Sequence, residues 1–348
     1  MDNTVINPLV SIIMPVYNCE SFVAEAVKSI LTQTLTDFEL IIIDDHSTDG
    51  TCGIIDGFQD PRIVFIKKQE NSGLINSLNL GLSISKGQFI ARMDGDDISH
   101  ATRLEKQVDF LSEHPDIAIC GTWYQLMDSN EIVKNPEVNE SIKIAFLDYC
   151  ALGHPTVMFR KDFITFHKLD YNPDFFAAED YDLWIRISAL GKLANLPEVL
   201  LSYRSHAEQV SIKQQAKQSA NADRCRIRMM CAPLAQSTIT DIETSTLLVR
   251  KTPIKSLEKL KEVLNWLDKL FDSNQNTTFY KADLFKSFIK KKKKELVRTF
   301  YLHTTSYSPK VLLEFSMVNE FRGYFTSLEY VKLAFKCAVY WRANSSVK

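Results

Sequence analysis

No stretch of this 348-residue chain reaches the roughly 18–20 consecutive apolar residues that a membrane-crossing helix needs. The N-terminal "MDNTVINPLVSIIMPVYN" lacks the basic segment and following apolar core of a signal peptide. Seven cysteines, odd in number and without a CxxC pair, argue against a disulfide framework or zinc site. They fit reduced thiols, so the expected setting is cytoplasmic. A net charge of −2 removes any general reason to expect nucleic-acid binding. Glycine is scarce in one region: after Gly191 only Gly323 remains. That shift places a domain boundary near residue 215, with residues 1–215 one domain and 216–348 a mainly helical region.

What is present in the first domain alternates. "LVSIIMPVYN" reads as a buried strand, and in "CESFVAEAVKSILTQT" Phe22, Val23, Ala26, Val27, Ile30 and Leu31 share one helical face. "FELIIIDD" is a continuous apolar run ending in two acids, as a central parallel strand would be. "RIVFIKK" repeats the strand pattern. "NSGLINSLNLGLSISKG" spaces Leu74, Leu78 and Leu82 four apart, with Gly87 the expected C-cap. "QFIARMD" is the next strand, and "RLEKQVDFLSEHP" an amphipathic helix stopped by Pro115. Such units predict an α/β fold, a mostly parallel sheet flanked by helices. Ligands of such sheets bind beyond the carboxyl ends of the strands.

Acid clusters fall at those ends. In "DGDD" (94–97), Asp94 and Asp96 can face one side of a turn, with Gly95 allowing close approach. This suits a hard divalent cation, Mg²⁺ or Mn²⁺. It equally suits a solvated turn in which Asp97 N-caps the next helix. Asp44 and Asp45 end the second strand, followed by the turn formers Ser47, Thr48 and Asp49. In "FFAAEDYDLWIRISALG", Leu183, Trp184, Ile187 and Leu190 form the inner face of a helix ended by Gly191. Glu179 and Asp180 then sit at its N-terminus, where the helix dipole favours an ionised acid able to act as a general base. N-terminal capping alone is the alternative.

Five segments in this order, "VSIIMPVYN", "IIIDDHSTDGT", "ENSGLINSLNLGLSISKGQFIARMDGDDIS", "HPTVMFR" and "AEDYDLWIRIS…LSYRSH", resemble a family 2 inverting glycosyltransferase of the GT-A fold. The resemblance implies that Pro15, Tyr17 and Asp45, with Asp44 contributing, line the nucleoside pocket of a UDP-sugar donor. Asn71 and Gly73 would border the nucleotide. Asp96 would ligate the metal, and Asp94 would contact ribose or the metal through water. Asp180 matches the catalytic base, supported by Glu179. His154, Arg204 and His206 fall where related enzymes hold the acceptor side and the diphosphate, and for both histidines a structural role is the alternative. The acceptor implied is a hydroxyl of a saccharide or lipid-linked saccharide, in bacterial surface-polysaccharide assembly.

The chain departs from the family pattern twice. His46 stands where a glycine is common, which restricts the backbone. Leu78 precedes Asn79 where many members carry arginine, leaving Arg92 or Arg204 to meet the diphosphate. In residues 281–300, Lys290 to Lys294 are flanked by Phe285, Phe288 and Phe300. That pattern fits peripheral attachment to an anionic membrane, at the inner face of the cytoplasmic membrane. A solvated basic face or a homo-oligomer contact is the alternative. A sugar-phosphate nucleotidyltransferase would need a glycine-rich, basic loop after the first strand, and "MPVYNCES" has neither glycine nor lysine. A non-catalytic nucleotide-sugar-binding protein would have no use for an acid in the position of Asp180.

Overall fold

The structure, a computed structural model, describes residues 7–205, 214–302 and 307–345. A nine-stranded sheet is built from β1 (Val10–Val16), β2 (Phe38–Asp44), β3 (Ile63–Lys67), β4 (Phe89–Arg92), β5 (Ile98–Ser99), β6 (Ile117–Leu126), β7 (Ile132–Val133), β8 (Met158–Arg160) and β9 (Lys192–Tyr203). The strand order is β3-β2-β1-β4-β8-β6-β9-β5, with β7 paired to β6. β3, β2, β1 and β4 are parallel neighbours, as their apolar runs predict. Beyond β4 the sheet is mixed: β8 is antiparallel to both β4 and β6, and β9 returns parallel to β6.

Every residue of β1, β2 and β4 is buried, which requires cover on both faces. The helices that supply it in this part of the chain are α1 (Val23–Leu31), α2 (Thr51–Asp56), α3 (Leu74–Ile84), α4 (Arg103–Glu113), α5 (Asn139–Ala145), α6 (Lys161–Phe166) and α7 (Glu179–Ser188). α1 buries Val23, Ala26, Val27 and Ile30. These join Val10, Ile12 and Met14 in one core. Fully burying such a side chain is worth about 1.5–3 kcal/mol, so this seam holds the helix to the sheet.

Two helix ends differ from expectation. α3 closes on Ser85, whose N–H donates to the Gly81 carbonyl at 3.1 Å, so Gly87 is not its C-cap. Glycine is needed at 87 for another reason: a Cβ there would lie 2.5 Å from the Ser11 nitrogen of β1. α7 buries Leu183, Trp184 and Ile187, but Leu190 lies past its end and is half exposed. The Gly191 N–H still donates to the Ile187 carbonyl at 2.9 Å.

The remaining helices are α8 (Gln215–Cys231), α9 (Ile239–Val249), α10 (Leu257–Thr277), α11 (Ala282–Leu302), α12 (Pro309–Met317), α13 (Asn319–Arg322) and α14 (Ser327–Ser345). The chain forms two compact units, Met1–Arg226 and Ile227–Lys348, which divide inside α8. In the second unit, α10 buries Leu260, Leu264 and Leu267, spaced three and four apart, while Phe271 is only half buried beside a buried Leu270. The lysine-rich helix α11 corrects an expectation. Phe285 and Phe288 are buried and Phe300 packs against the core, so these rings face inward, away from any membrane surface. Lys293 is buried too, its ammonium 2.6 Å from Asp268. No described helix is long and apolar enough to cross a membrane.

Candidate active site

β1, β2 and β4 end at the same edge because their registers align: Val16 pairs with Asp44, and Ile13 with Arg92. The residues that follow, Tyr17, Asp45 and Asp94, are delivered to one cavity of about 790 Å³. That is an ordinary size for a small-molecule site. Pro15, Tyr17, Asp45, Asn71, Gly73, Arg92, Asp94, Asp96, His154, Glu179 and Asp180 all line it. Asp44 and Arg204 do not line it, and His206 lies outside the described residues.

The Asp45 carboxylate accepts hydrogen bonds from the Ser72 and Gly73 N–H groups at 3.0 and 2.8 Å, and pairs with Lys68. It therefore anchors the 72–73 turn at the cavity wall. Asp44 turns the other way, as alternation along an extended chain requires. Its Oδ2 accepts from the Ser47 N–H at 3.0 Å, closing the turn after β2, so a nucleoside contact is not where the structure puts it. His46 in that turn has φ 64°, the left-handed region that favours glycine. The turn keeps its shape at the cost of some strain.

The acid loop holds its charge in a specific way. Oxygens of Asp94, Asp96 and Asp97 lie within 4.8 Å of one another. Arg92, itself buried, pairs with Asp94. Asp97 is fully buried rather than a helix N-cap, since α4 begins after Thr102. Its Oδ1 accepts the Arg204 N–H at 2.9 Å. Its other oxygen has no hydrogen-bond partner, and burial together with the charges of Asp94 and Asp96 pushes its carboxyl well up. Burial also raises Asp94, against the pull of Arg92. The Arg204 guanidinium donates to the Asp96 carbonyl at 2.9 Å and to Glu25 at 2.6 Å. It is thus committed to holding the loop instead of facing a diphosphate. Hard oxygen donors crowded into one loop are a fitting donor set for Mg²⁺ or Mn²⁺.

At the opposite wall stand Glu179 and Asp180. The Asp180 Oδ1 accepts from the Tyr181 N–H at 2.7 Å, and the Cys150 thiol donates to Oδ2 at 3.8 Å. The helix terminus was expected to keep Asp180 ionised, but burial outweighs that pull and its carboxyl is raised. Glu179, almost wholly buried with Oε2 unpartnered, is pushed up to about 7 by burial and then by the Asp180 charge. Near neutrality Glu179 therefore still carries a proton part of the time, and the pair falls short of two full negative charges. His154 bonds the Tyr171 hydroxyl at 3.0 Å. Burial first, then the Arg92 charge, holds its imidazole well below the usual range, so it is neutral.

Among the described lining residues there are five carboxylates, Asp45, Asp94, Asp96, Glu179 and Asp180, and one permanent cation, Arg92. Residues not marked by sequence pattern complete the site. Tyr124 and Tyr203 reach it from the paired strands β6 and β9, and Cys150 flanks Asp180. Arg103, fully buried, donates to the Pro155 carbonyl at 2.5 Å and to that of Arg92 at 3.2 Å. It stitches the end of β4 to the His154–Pro155 turn, and burial pushes its guanidinium down to about 10. Only its place six residues after "DGDD" hinted at this.

Comparison with known proteins accords with the site. The model of Glycosyl transferase family 2 matches residues 11–177. A Haemophilus influenzae protein described as an uncharacterized glycosyltransferase is 36% identical over 233 residues, 63% of this chain and 72% of that protein. An Escherichia coli UDP-Glc:alpha-D-GlcNAc-diphosphoundecaprenol beta-1,3-glucosyltransferase, WfaP, is 34% identical over 58% of this chain and 80% of its own length. Among solved structures, Staphylococcus aureus TarS 1-349 in complex with UDP superposes with a TM-score of 0.55 at 16% identity, covering 94% of this chain and 91% of that one. That likeness carries the GT-A-type fold. The chain belongs to glycosyl transferase family 2, and it is a glycosyltransferase.

Proposed function

We propose that the protein transfers a glycosyl group from a UDP-sugar to a hydroxyl of a saccharide or lipid-linked saccharide, with inversion, in surface-polysaccharide assembly. The observation that carries this reading is the convergence, in one cavity, of Asp45, the Asp94–Asp96 loop and the Glu179–Asp180 helix end. The donor and lipid-diphosphate acceptor named for the E. coli WfaP protein support the substrate classes. So does a second E. coli relative, the O-antigen biosynthesis glycosyltransferase WbnJ, 37% identical over 57% of this chain. A β-linkage made from an α-linked donor such as UDP-glucose requires inversion, which supports the stereochemistry.

A nucleoside diphosphate brings negative charge into a cavity already lined by five carboxylates. Asp94 and Asp96 would hold a divalent cation, Mn²⁺ or Mg²⁺, which when bound supplies Lewis-acid neutralisation of the diphosphate leaving group. Arg92 opposes the burial that raises Asp94 and orients its carboxyl group, and Arg204 and Arg103 fix the backbone that carries the loop. Asp45, Tyr17 and Gly73 wall the nucleoside end. Asp180 takes the acceptor's hydroxyl proton as that oxygen bonds to the anomeric carbon and the bond to UDP breaks. General-base help of this kind is typically worth ~10²- to 10⁴-fold. Glu179, protonated below about pH 7, keeps a second full charge from building beside the base.

Titration of the full chain with UDP in a calorimeter, with Mn²⁺ and again with EDTA, tests the reading. Binding should need the cation. UDP affinity indifferent to EDTA would exclude the assigned role of the acid loop. A panel of UDP-sugars read by thermal shift with Mn²⁺ would then select the donor.

A further inference from the structure

The last helix, α14, carries an exposed apolar stripe. Leu328, Val331, Phe335 and Val339 are 79, 61, 65 and 44% exposed. Spaced three and four apart, they occupy one face, while Leu333 and Cys337 on the opposite face are buried in the core of the second unit. α12 packs against α14 and repeats the pattern with Leu313 and Met317, 61 and 72% exposed, and with Lys310 on the same face. Single exposed apolar residues need no explanation, but a contiguous face of this kind marks an interaction surface.

Charge indicates what occupies it. Residues 227–348 contain 21 Lys and Arg against 11 Asp and Glu, net +10, whereas 1–226 contain 20 against 32, net −12. A two-fold dimer through α14 would set two identical +10 units against each other. An anionic lipid surface is attracted by the same charge and takes up the same apolar side chains. Lys332 is exposed beside the stripe, and Lys290, Lys291 and Lys294 are exposed on α11. We propose that the second unit binds anionic bilayers peripherally, with the apolar face of α14 entering the lipid interface, Lys332 beside it meeting the headgroups and the net positive charge of the unit drawing it to the surface. The aromatic residues of α11 take no part, because they are in the core. This is an amphipathic helix lying on the membrane, not one crossing it.

The test is co-sedimentation of the full chain with phosphatidylcholine vesicles and with vesicles containing about 30% phosphatidylglycerol, at about 50 mM salt. Binding to the anionic vesicles should exceed binding to the neutral ones at least about ten-fold and collapse near 0.5 M salt. The triple variant Leu328→Gln, Val331→Gln, Phe335→Gln should lose at least about ten-fold in binding with an unchanged melting temperature, since three interfacial apolar side chains are removed. Because these side chains are exposed, the fold does not depend on them. Equal binding by the triple variant, no preference for anionic vesicles, or a dimer in sedimentation velocity that the variant abolishes would each overturn the proposal. None of these outcomes depends on the transferase reading.

Discussion

Two acid clusters face each other across one cavity, and they manage like charge by opposite means. The Asp94–Asp97 loop is surrounded by arginines: Arg92 pairs with Asp94, while Arg204 holds Asp97 through its N–H and Asp96 through its carbonyl. The Glu179–Asp180 helix end has no cation in direct contact among the described residues, and relieves its repulsion by retaining a proton on Glu179. A site that gathers positive charge is suited to a diphosphate and its counter-ion. A site that trades in protons is suited to a base. Sequence spacing makes the two look alike, as acids at the end of an element. Their neighbours make them different.

The comparison is broken most severely at the proposed base, Asp180. Asp180→Asn should lower transfer by about 10²- to 10⁴-fold, about 3–5 kcal/mol in the barrier, the usual worth of a positioned general base. UDP affinity, measured by calorimetry, should change little. Equal loss of both would assign Asp180 to donor binding instead.

Next in size is a pH effect on stability. A carboxyl raised from the usual range to about 7 binds a proton more tightly folded than unfolded. The wild-type protein therefore loses stability as pH climbs between roughly 4.5 and 7, by up to about 3 kcal/mol, and then levels off. Glu179→Gln should reduce this slope, leaving the part contributed by the other raised acids Asp94, Asp97 and Asp180. Urea midpoints for both proteins at pH 5 and pH 8 check it, and parallel lines would show that the two acids do not share charge as described.

At the other cluster, Asp96→Ala should weaken UDP binding in the presence of Mn²⁺ by about ten-fold or more, about 1.4 kcal/mol, and leave binding in EDTA unchanged. The smallest effect belongs to the support. Arg204→Met removes the bonds to the Asp96 carbonyl and to Glu25, at about 1 kcal/mol, and should raise the UDP Kd several-fold without altering the pH profile of transfer. A shifted pH profile would show that the two clusters communicate.

The parallel half of the sheet is legible in the chain because each strand there is its own apolar run, joined to its neighbour by a helix with a visible stripe. The mixed half is not. β8 is three residues long and β5 two, too short for any period, and they exist only because β4, β6 and β9 offer them partners. The site divides similarly. Asp45, Asp94, Asp96 and Asp180 stand out as acids at element ends. Arg103 and Tyr124 do not, since Arg103 is placed by its bond to the Pro155 carbonyl, 52 positions away, and Tyr124 by the pairing of β6 with β9. Asp44 and Asp97 resemble the cavity-lining Asp45 and Asp96 in sequence, and only the direction of each side chain separates them.

Alone, the amino-acid order determined where chemistry-bearing carboxylates would emerge, because hydrophobic runs dictate strands and strands must end in turns. It also determined that the C-terminal third would be helical and basic. Tertiary structure decided which acids keep their charge, since burial and the reach of Arg92, Arg103 and Arg204 are set by packing between distant segments. It likewise decided which face of the basic unit is apolar and open. Phenylalanines of α11 turned inward, and those four side chains of α14, spaced like any core stripe, were left without a core to fill.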